Sequence, residues 1–97
     1  MRRTRKNYLV GICNTEDDGV TLSRVNGTEC MIIKYLIKLL KSDRKVIEEN
    51  YGSCFDYGAE TAEDIIKRQD GSLHAFATYN NFHIDYSAIP ESEPYML

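Results

Sequence analysis

The sequence has few cysteines and no long apolar run. Its cysteines are Cys13, Cys30 and Cys54, an odd number with no C-x-x-C spacing, which is typical of reduced thiols in a cytoplasm. The apolar-rich segment Met31–Leu40 contains two lysines and is shorter than the roughly 20 residues that a membrane-spanning helix needs. We therefore expect a cytoplasmic protein without a membrane segment.

Motifs for nucleotides and cofactors are also missing. Neither G-x-G-x-x-G nor G-x-x-x-x-G-K-[ST] occurs, which argues against a nucleotide site of either kind, and we expect no cofactor. Tryptophan is absent and proline occurs twice, while 42% of the 97 residues are hydrophobic. This hydrophobic content is too high for a disordered chain and predicts one domain, residues 1–97, with a modest core.

The charge is divided unevenly along the chain. Residues 1–41 carry eight Lys and Arg against four Asp and Glu, whereas residues 42–97 carry four against eleven. Affinity for nucleic acid comes largely from cations that displace counterions, so the acidic part disfavours direct nucleic-acid binding. It favours a protein partner with a basic surface.

The first half predicts a hairpin followed by a helix. Tyr8–Cys13 reads as a buried strand, and the alternating segment Val20–Val25 should return antiparallel to it. Asn26, with Glu29 three residues later, predicts the helix N-cap, and Thr28 is a competing cap. The helix would bury Ile32, Ile33, Leu36, Leu39 and Leu40 on one face.

The second half contains weaker helical signals and a clear hairpin. Residues 29–51 form either one helix or two, since Ser42 could cap a second one. Thr61 predicts a short helix that carries Ile65 and Ile66 and ends at Gly71. The last hairpin pairs Leu73 with Ala88, His74 with Ser87, Ala75 with Tyr86 and Ala77 with Ile84, around a type I′ turn at Asn80 and Asn81.

These elements predict an α+β fold of ββ-helical-ββ order. An antiparallel four-stranded sheet would carry one long helix on one face, with one or two short helices elsewhere. Residues 1–6 would form a basic N-terminal arm, and residues 91–97 a flexible tail. A sheet with open edges could also pair with a second copy, so a homodimer is a further expectation.

The leading functional hypothesis concerns an acidic, aromatic segment from Glu48 to Asp64. Aromatic side chains are favoured interface anchors, and carboxylates around them can meet a surface rich in Lys and Arg. We expect a non-enzymatic, protein-binding role without catalytic residues. The predicted contacts are Glu48, Glu49, Tyr51, Asp56, Tyr57 and Glu60.

Two alternatives use other residues. His74, His83 and Asp85 on the polar side of the last hairpin could hold a metal, and Ser87 with His74 and Asp85 supplies the residue types of a nucleophilic enzyme. A nucleic-acid-binding module would instead use the basic arm with the helix stripe Lys34, Lys38, Lys41, Arg44 and Lys45.

Three further segments carry a resemblance. Gly27–Thr28 opens the helix, Asp56–Gly58 forms an acidic loop, and His83–Pro90 closes the domain. In this arrangement the chain resembles small uncharacterised proteins of Firmicutes phages and mobile elements, and in size and acidity it is similar to anti-CRISPR proteins. The resemblance implies an inhibitor in the cytoplasm of a bacterial host, acting on a nucleic-acid-handling defence complex such as a CRISPR effector.

Overall fold

A computed structural model describes residues 4–15, 20–54 and 56–91. In this part of the chain the fold is α+β, with one long helix packed against an antiparallel sheet. The elements are β1 (Lys6–Asn14), β2 (Val20–Gly27), α1 (Glu29–Tyr51), β3 (Asp56–Tyr57), a 3-10 turn (Ala62–Asp64), β4 (Ile66–Lys67), β5 (Leu73–Thr78) and β6 (His83–Pro90).

The two predicted hairpins join into one sheet. The strand order is β2-β1-β6-β5-β3, and β4 pairs with β5 beside β3. The four long strands match the prediction, but the sheet has six strands because β3 and β4 add to the outer edge of β5. Two-residue strands are too short to show the alternation by which strands are recognised in a sequence.

The register of the last hairpin is confirmed, while its turn is not. All four predicted pairs from Leu73–Ala88 to Ala77–Ile84 are present. The expected positive φ angles at Asn80 and Asn81 are wrong, since no described residue other than glycine has a positive φ. The strand ladder ends at Thr78 and His83. One backbone hydrogen bond, from the Tyr79 N–H to the Phe82 carbonyl at 2.8 Å, then closes the turn without positive φ angles.

Residues 29–51 form a single helix. Its N-cap is Thr28, whose hydroxyl accepts a hydrogen bond from the Met31 N–H at 3.3 Å. The cap expected at Asn26 is wrong because β2 continues through Gly27, and Asn26 pairs there with Asn7 of β1. The helix ends at Gly52, whose φ of 97° favours glycine.

The helix predicted from Thr61 to Gly71 is reduced to one 3-10 turn. The Asp64 carboxylate caps that turn by accepting the Thr61 N–H at 2.9 Å. The chain then extends, because Ile66 pairs with His74 on the free edge of β5. Gly71, with φ of 85°, belongs to the turn between β4 and β5 and does not end a helix.

The helix covers one face of the sheet, as predicted. The core beneath it contains Tyr8, Val10, Ile32, Leu36, Leu40, Leu73, Ala75, Ala77, Ile84, Tyr86 and Ala88. The opposite face, called the open face below, has no helix against it in the described part of the chain. It exposes the apolar side chains of Val20, Leu22, Ile66 and Ile89, which are 48–60% accessible.

Candidate functional site

An arginine organises the predicted acidic surface. The Arg44 guanidinium lies over the Tyr57 ring, 4.0 Å from its centroid, and Arg44 Nη1 is 3.8 Å from Glu60 Oε1. The Tyr57 hydroxyl donates to the same Glu60 oxygen at 3.0 Å. These three side chains, called the Arg44 cluster below, join α1 to β3 and to the loop that follows β3.

Neighbouring side chains stabilise the positive charge of Arg44. Burial disfavours the charge on Arg44, but its contact with Tyr57 and the nearby Glu48 and Glu60 carboxylates outweigh burial and raise its pKa. Glu48 also accepts the Cys54 N–H at 3.0 Å, which ties the segment after the helix back to α1. Arg44 was assigned to the basic stripe from the sequence, whereas the structure places it within the acidic surface.

The structure brings only part of the predicted contact set together. Tyr57 and Glu60 lie in the Arg44 cluster, and Glu48 and Glu49 are exposed on the neighbouring last turns of α1. Asp56 pairs with Thr78, and so it points to the open face, away from Tyr57. Of Tyr51 only the backbone, at the end of α1, lies within the described structure.

A second group of polar side chains surrounds His74 on the open face. His74 Nε2 lies 2.8 Å from Ser72 Oγ, and His74 Nδ1 lies 3.1 Å from Ser87 Oγ. The Ser72 hydroxyl donates to Asp70 Oδ1 at 2.5 Å. Asp70, Ser72, His74 and Ser87 therefore form a continuous hydrogen-bonded series, called the His74 series below.

The environment of the series keeps the imidazole neutral. Burial, and then the positive charge of Arg68, lower the pKa of His74, while the hydrogen bonds from Ser72 lower the pKa of Asp70. A neutral imidazole donates a hydrogen bond through one ring nitrogen and accepts one through the other. The series can therefore accept a proton from Ser87 at Nδ1 when the proton of the imidazole is on Nε2.

The predicted metal ligands do not meet. His83 Nε2 lies 3.3 Å from Asp85 Oδ2, but His74 is bonded to the two serines. Within residues 4–15, 20–54 and 56–91 there is no group of three or more His, Cys, Asp or Glu side chains that could hold a metal ion. The acid expected to orient His74 is replaced by Ser72 with Asp70.

Ser72 and Asp70 were missed by reasoning from the sequence. Asp70 accepts the Ser72 N–H at 2.8 Å as well as the Ser72 hydroxyl, a local turn bond typical of Asp two residues before a bonded N–H. The turn sequence Asp-Gly-Ser at residues 70–72 could have indicated this contact. It places Ser72 directly before β5 and two residues before His74.

The basic stripe is solvated on α1. Lys34, Lys38 and Lys41 are exposed. The arm is partly folded, because Lys6 begins β1 and Arg5 Nε donates to the Asn26 side chain at 2.9 Å. Residues 1–3 of the arm and 92–97 of the predicted tail lie outside the described structure.

Comparisons with known proteins do not assign a family. No protein-family model, curated protein or solved structure is significantly similar to the chain. Over the described residues, α1 is not apolar enough to be a membrane-spanning helix. The geometry of the two polar groups above is therefore the basis for inferring what the protein does.

Proposed function

We propose that this protein acts without catalysis, by binding a protein with a basic surface through the acidic end of α1 and the Arg44 cluster. The observation that carries the proposal is the position of Arg44, which holds Tyr57 and Glu60 against the helix. An aromatic side chain and several carboxylates are thereby presented together on one surface.

Preorganisation favours binding at this surface. A side chain that is already held in one geometry loses less conformational freedom when a partner docks. Tyr57 is held by two contacts, and Glu48 is held by the Cys54 backbone. Glu49 makes no hydrogen bond or ion pair with any described residue, which leaves its carboxylate free for a partner cation.

The charge pattern determines which partner fits. Carboxylates on a surface of the acidic half of the chain accelerate association with a Lys- and Arg-rich protein, and this effect weakens as salt screens the charges. Our narrower proposal is an inhibitor that competes with nucleic acid for a host defence complex, with a CRISPR effector as the first partner to test. It rests on the resemblance stated above and on this polarity.

The experiment is a pull-down from nuclease-treated bacterial lysate with a charge-reversed triple variant. In the variant Glu48, Glu49 and Glu60 are each changed to Lys. The matched control changes Asp56, Asp85 and Glu91 to Lys, which alters the net charge equally but on the open side of the sheet. We expect the first variant to lose a basic partner that the control retains, with both folded by circular dichroism.

Two outcomes would contradict the proposal. A folded first variant that still retains the partner would exclude the acidic surface as the contact. Loss of the partner by the control alone would place the contact on the open face. For the narrower proposal, adding this protein to the guide-RNA complex of a CRISPR effector should inhibit DNA binding by that effector, and undiminished DNA binding would exclude inhibition of that effector.

The His74 series supports a second candidate function, a nucleophilic enzyme. Ser87 Oγ lies within hydrogen-bond distance of His74 Nδ1, and a surface depression of about 390 Å³ beside them is bordered by Ile66, Arg68 and Phe76. A serine and an imidazole in contact are the first requirement of an activated nucleophile.

A fluorophosphonate probe tests this candidate directly. If Ser87 is activated, the probe labels the wild type, and both Ser87→Ala and His74→Gln abolish labelling. Labelling that persists in Ser87→Ala, or no labelling of a folded wild type, would exclude it.

A further inference from the structure

A cleft lies on the helix side of the sheet, and its lining contains no member of the Arg44 cluster or of the His74 series. It is bordered by the start of β1, the first two turns of α1 and the 3-10 turn, and its volume is about 520 Å³. Ligand pockets commonly fall between about 300 and 1,000 Å³. Its lining includes Tyr8, Cys30, Ile33 and Ala62, so much of its wall is apolar.

Tyr8 supplies an unused hydrogen-bond donor in this cleft. The residue is only 3% exposed, yet its hydroxyl makes no hydrogen bond with any described residue. Among the described residues, Tyr79 alone has a buried hydroxyl without a partner, so the Tyr8 hydroxyl, which lines the cleft, is accessible to a ligand there. Burial, and then the charge of Glu29, raise the pKa of Tyr8, so it remains a donor at neutral pH.

The charges around the cleft favour an anion. Lys6 and Lys34 line it, and neither forms an ion pair within the described part of the chain. Among the described residues of the lining, the one carboxylate is that of Glu29, which is paired with Lys67 at 3.0 Å. The first turn of α1 also lines the cleft. The N–H groups at the N-terminus of a helix attract negative charge.

We propose that this cleft binds an amphipathic carboxylate, such as a medium-chain fatty acid or a similar apolar acid. The apolar body packs against Cys30 and Ile33. The carboxylate accepts a hydrogen bond from the Tyr8 hydroxyl and lies between the Lys6 and Lys34 ammonium groups. The chain would thereby carry a small-molecule site separate from the protein-binding surface.

Decanoate is the probe, and its neutral and cationic counterparts are decanol and decyltrimethylammonium. Titration of the isotopically labelled full chain by NMR should show decanoate binding that shifts the amides of Cys30 and Ile33. Decanol should bind at least tenfold more weakly, and decyltrimethylammonium should not displace decanoate. Equal affinity for all three probes, or no saturable binding of decanoate, would overturn the proposal.

Variants assign the contacts. Tyr8→Phe keeps the ring and should weaken decanoate about fivefold, as expected for one lost hydrogen bond. Lys34→Glu should weaken it by a larger factor. Lys38→Glu is the matched control, because it makes the same charge change on an exposed position of the same helix outside the cleft. Equal weakening by the two lysine variants would overturn the assignment.

Cys30 gives an independent readout. All three cysteines are free thiols of intermediate exposure, and only Cys30 lines the cleft. Decanoate should slow alkylation of Cys30 by iodoacetamide, measured by mass spectrometry, while Cys13 and Cys54 serve as internal controls. Unchanged alkylation of Cys30 at saturating decanoate, or equal protection of all three cysteines, would overturn the proposal.

Discussion

The two faces of the sheet are built from the same strands but differ in what covers them. On the helix side, Leu36 and Tyr86 are fully buried. On the open face, Val20 and Leu22 are more than half exposed, and the polar side chains of the His74 series lie among apolar neighbours. The covered face therefore contributes most of the stability, while the open face can change its residues at little cost to folding.

The largest effect on stability is expected at Leu36, on the covered face of the sheet. Leu36→Ala leaves a cavity under the helix, and we expect the free energy of unfolding to fall by about 2–5 kcal/mol. Urea denaturation followed by circular dichroism measures it. A loss below about 1 kcal/mol would mean that the helix does not pack on this face as the structure shows.

Two buried tyrosines on the covered face should differ in how much their hydroxyl groups contribute to stability. Tyr86→Phe removes the donor to Asp43 and should lower the free energy of unfolding by about 1–3 kcal/mol, since the acceptor loses its partner. Tyr79→Phe is the control, because the buried Tyr79 hydroxyl has no partner among the described residues. That variant should be neutral or stabilising, and equal losses in the two variants would contradict this account.

The open face should contribute a pH dependence through His74. Its folded pKa lies below the ordinary 6.5, so the unfolded chain binds a proton first as the pH falls. Stability should therefore decrease below about pH 6.5 and level off below the folded pKa. Denaturation of His83→Gln between about pH 7.5 and 5.5 isolates His74, the remaining histidine of the chain. Adding His74→Gln should remove the slope.

The smallest effect is expected at Leu22. Its side chain is 60% exposed on the edge strand β2, and Leu22→Ser should change the free energy of unfolding by no more than about 0.5 kcal/mol. Urea denaturation of both variants allows the loss in Leu22→Ser to be compared with the loss in Leu36→Ala. A loss approaching that of Leu36→Ala would show that this part of the open face is covered after all.

The hairpins could be predicted from the sequence because the alternation of side chains and the turn residues that determine them lie close together in the chain. The alternation from Leu73 to Ala88 determined both its register and its buried face. The helix N-cap depended instead on where β2 stops. Since Asn26 remains paired with Asn7 across the sheet, Thr28 becomes the cap, and a choice that depends on a neighbouring strand is not contained in the capping pattern.

Contacts between distant segments account for what the sequence did not predict about the sites. Arg44 and Tyr57 meet because β3 adds to β5 beneath the end of α1, and nothing in either segment alone indicates that pairing. In the same way, Asp56 and Tyr57 are adjacent in sequence but face opposite sides of the sheet. The composition identified the acidic region, but it is the pairing of β3 with β5 that places Asp56 and Tyr57 on opposite faces of the sheet.

The arrangement of the sheet edges limits how copies of this chain could associate. One edge is occupied by β3 and β4, which together cover β5, while the other edge is the eight-residue strand β2, exposed along most of its length. Fibrous assembly through strands requires two free edges on each copy. Among the described strands β2 is the one long free edge, so association through β2 would join two molecules in a closed pair. The two-residue strands β3 and β4 offer little length for further growth into a filament.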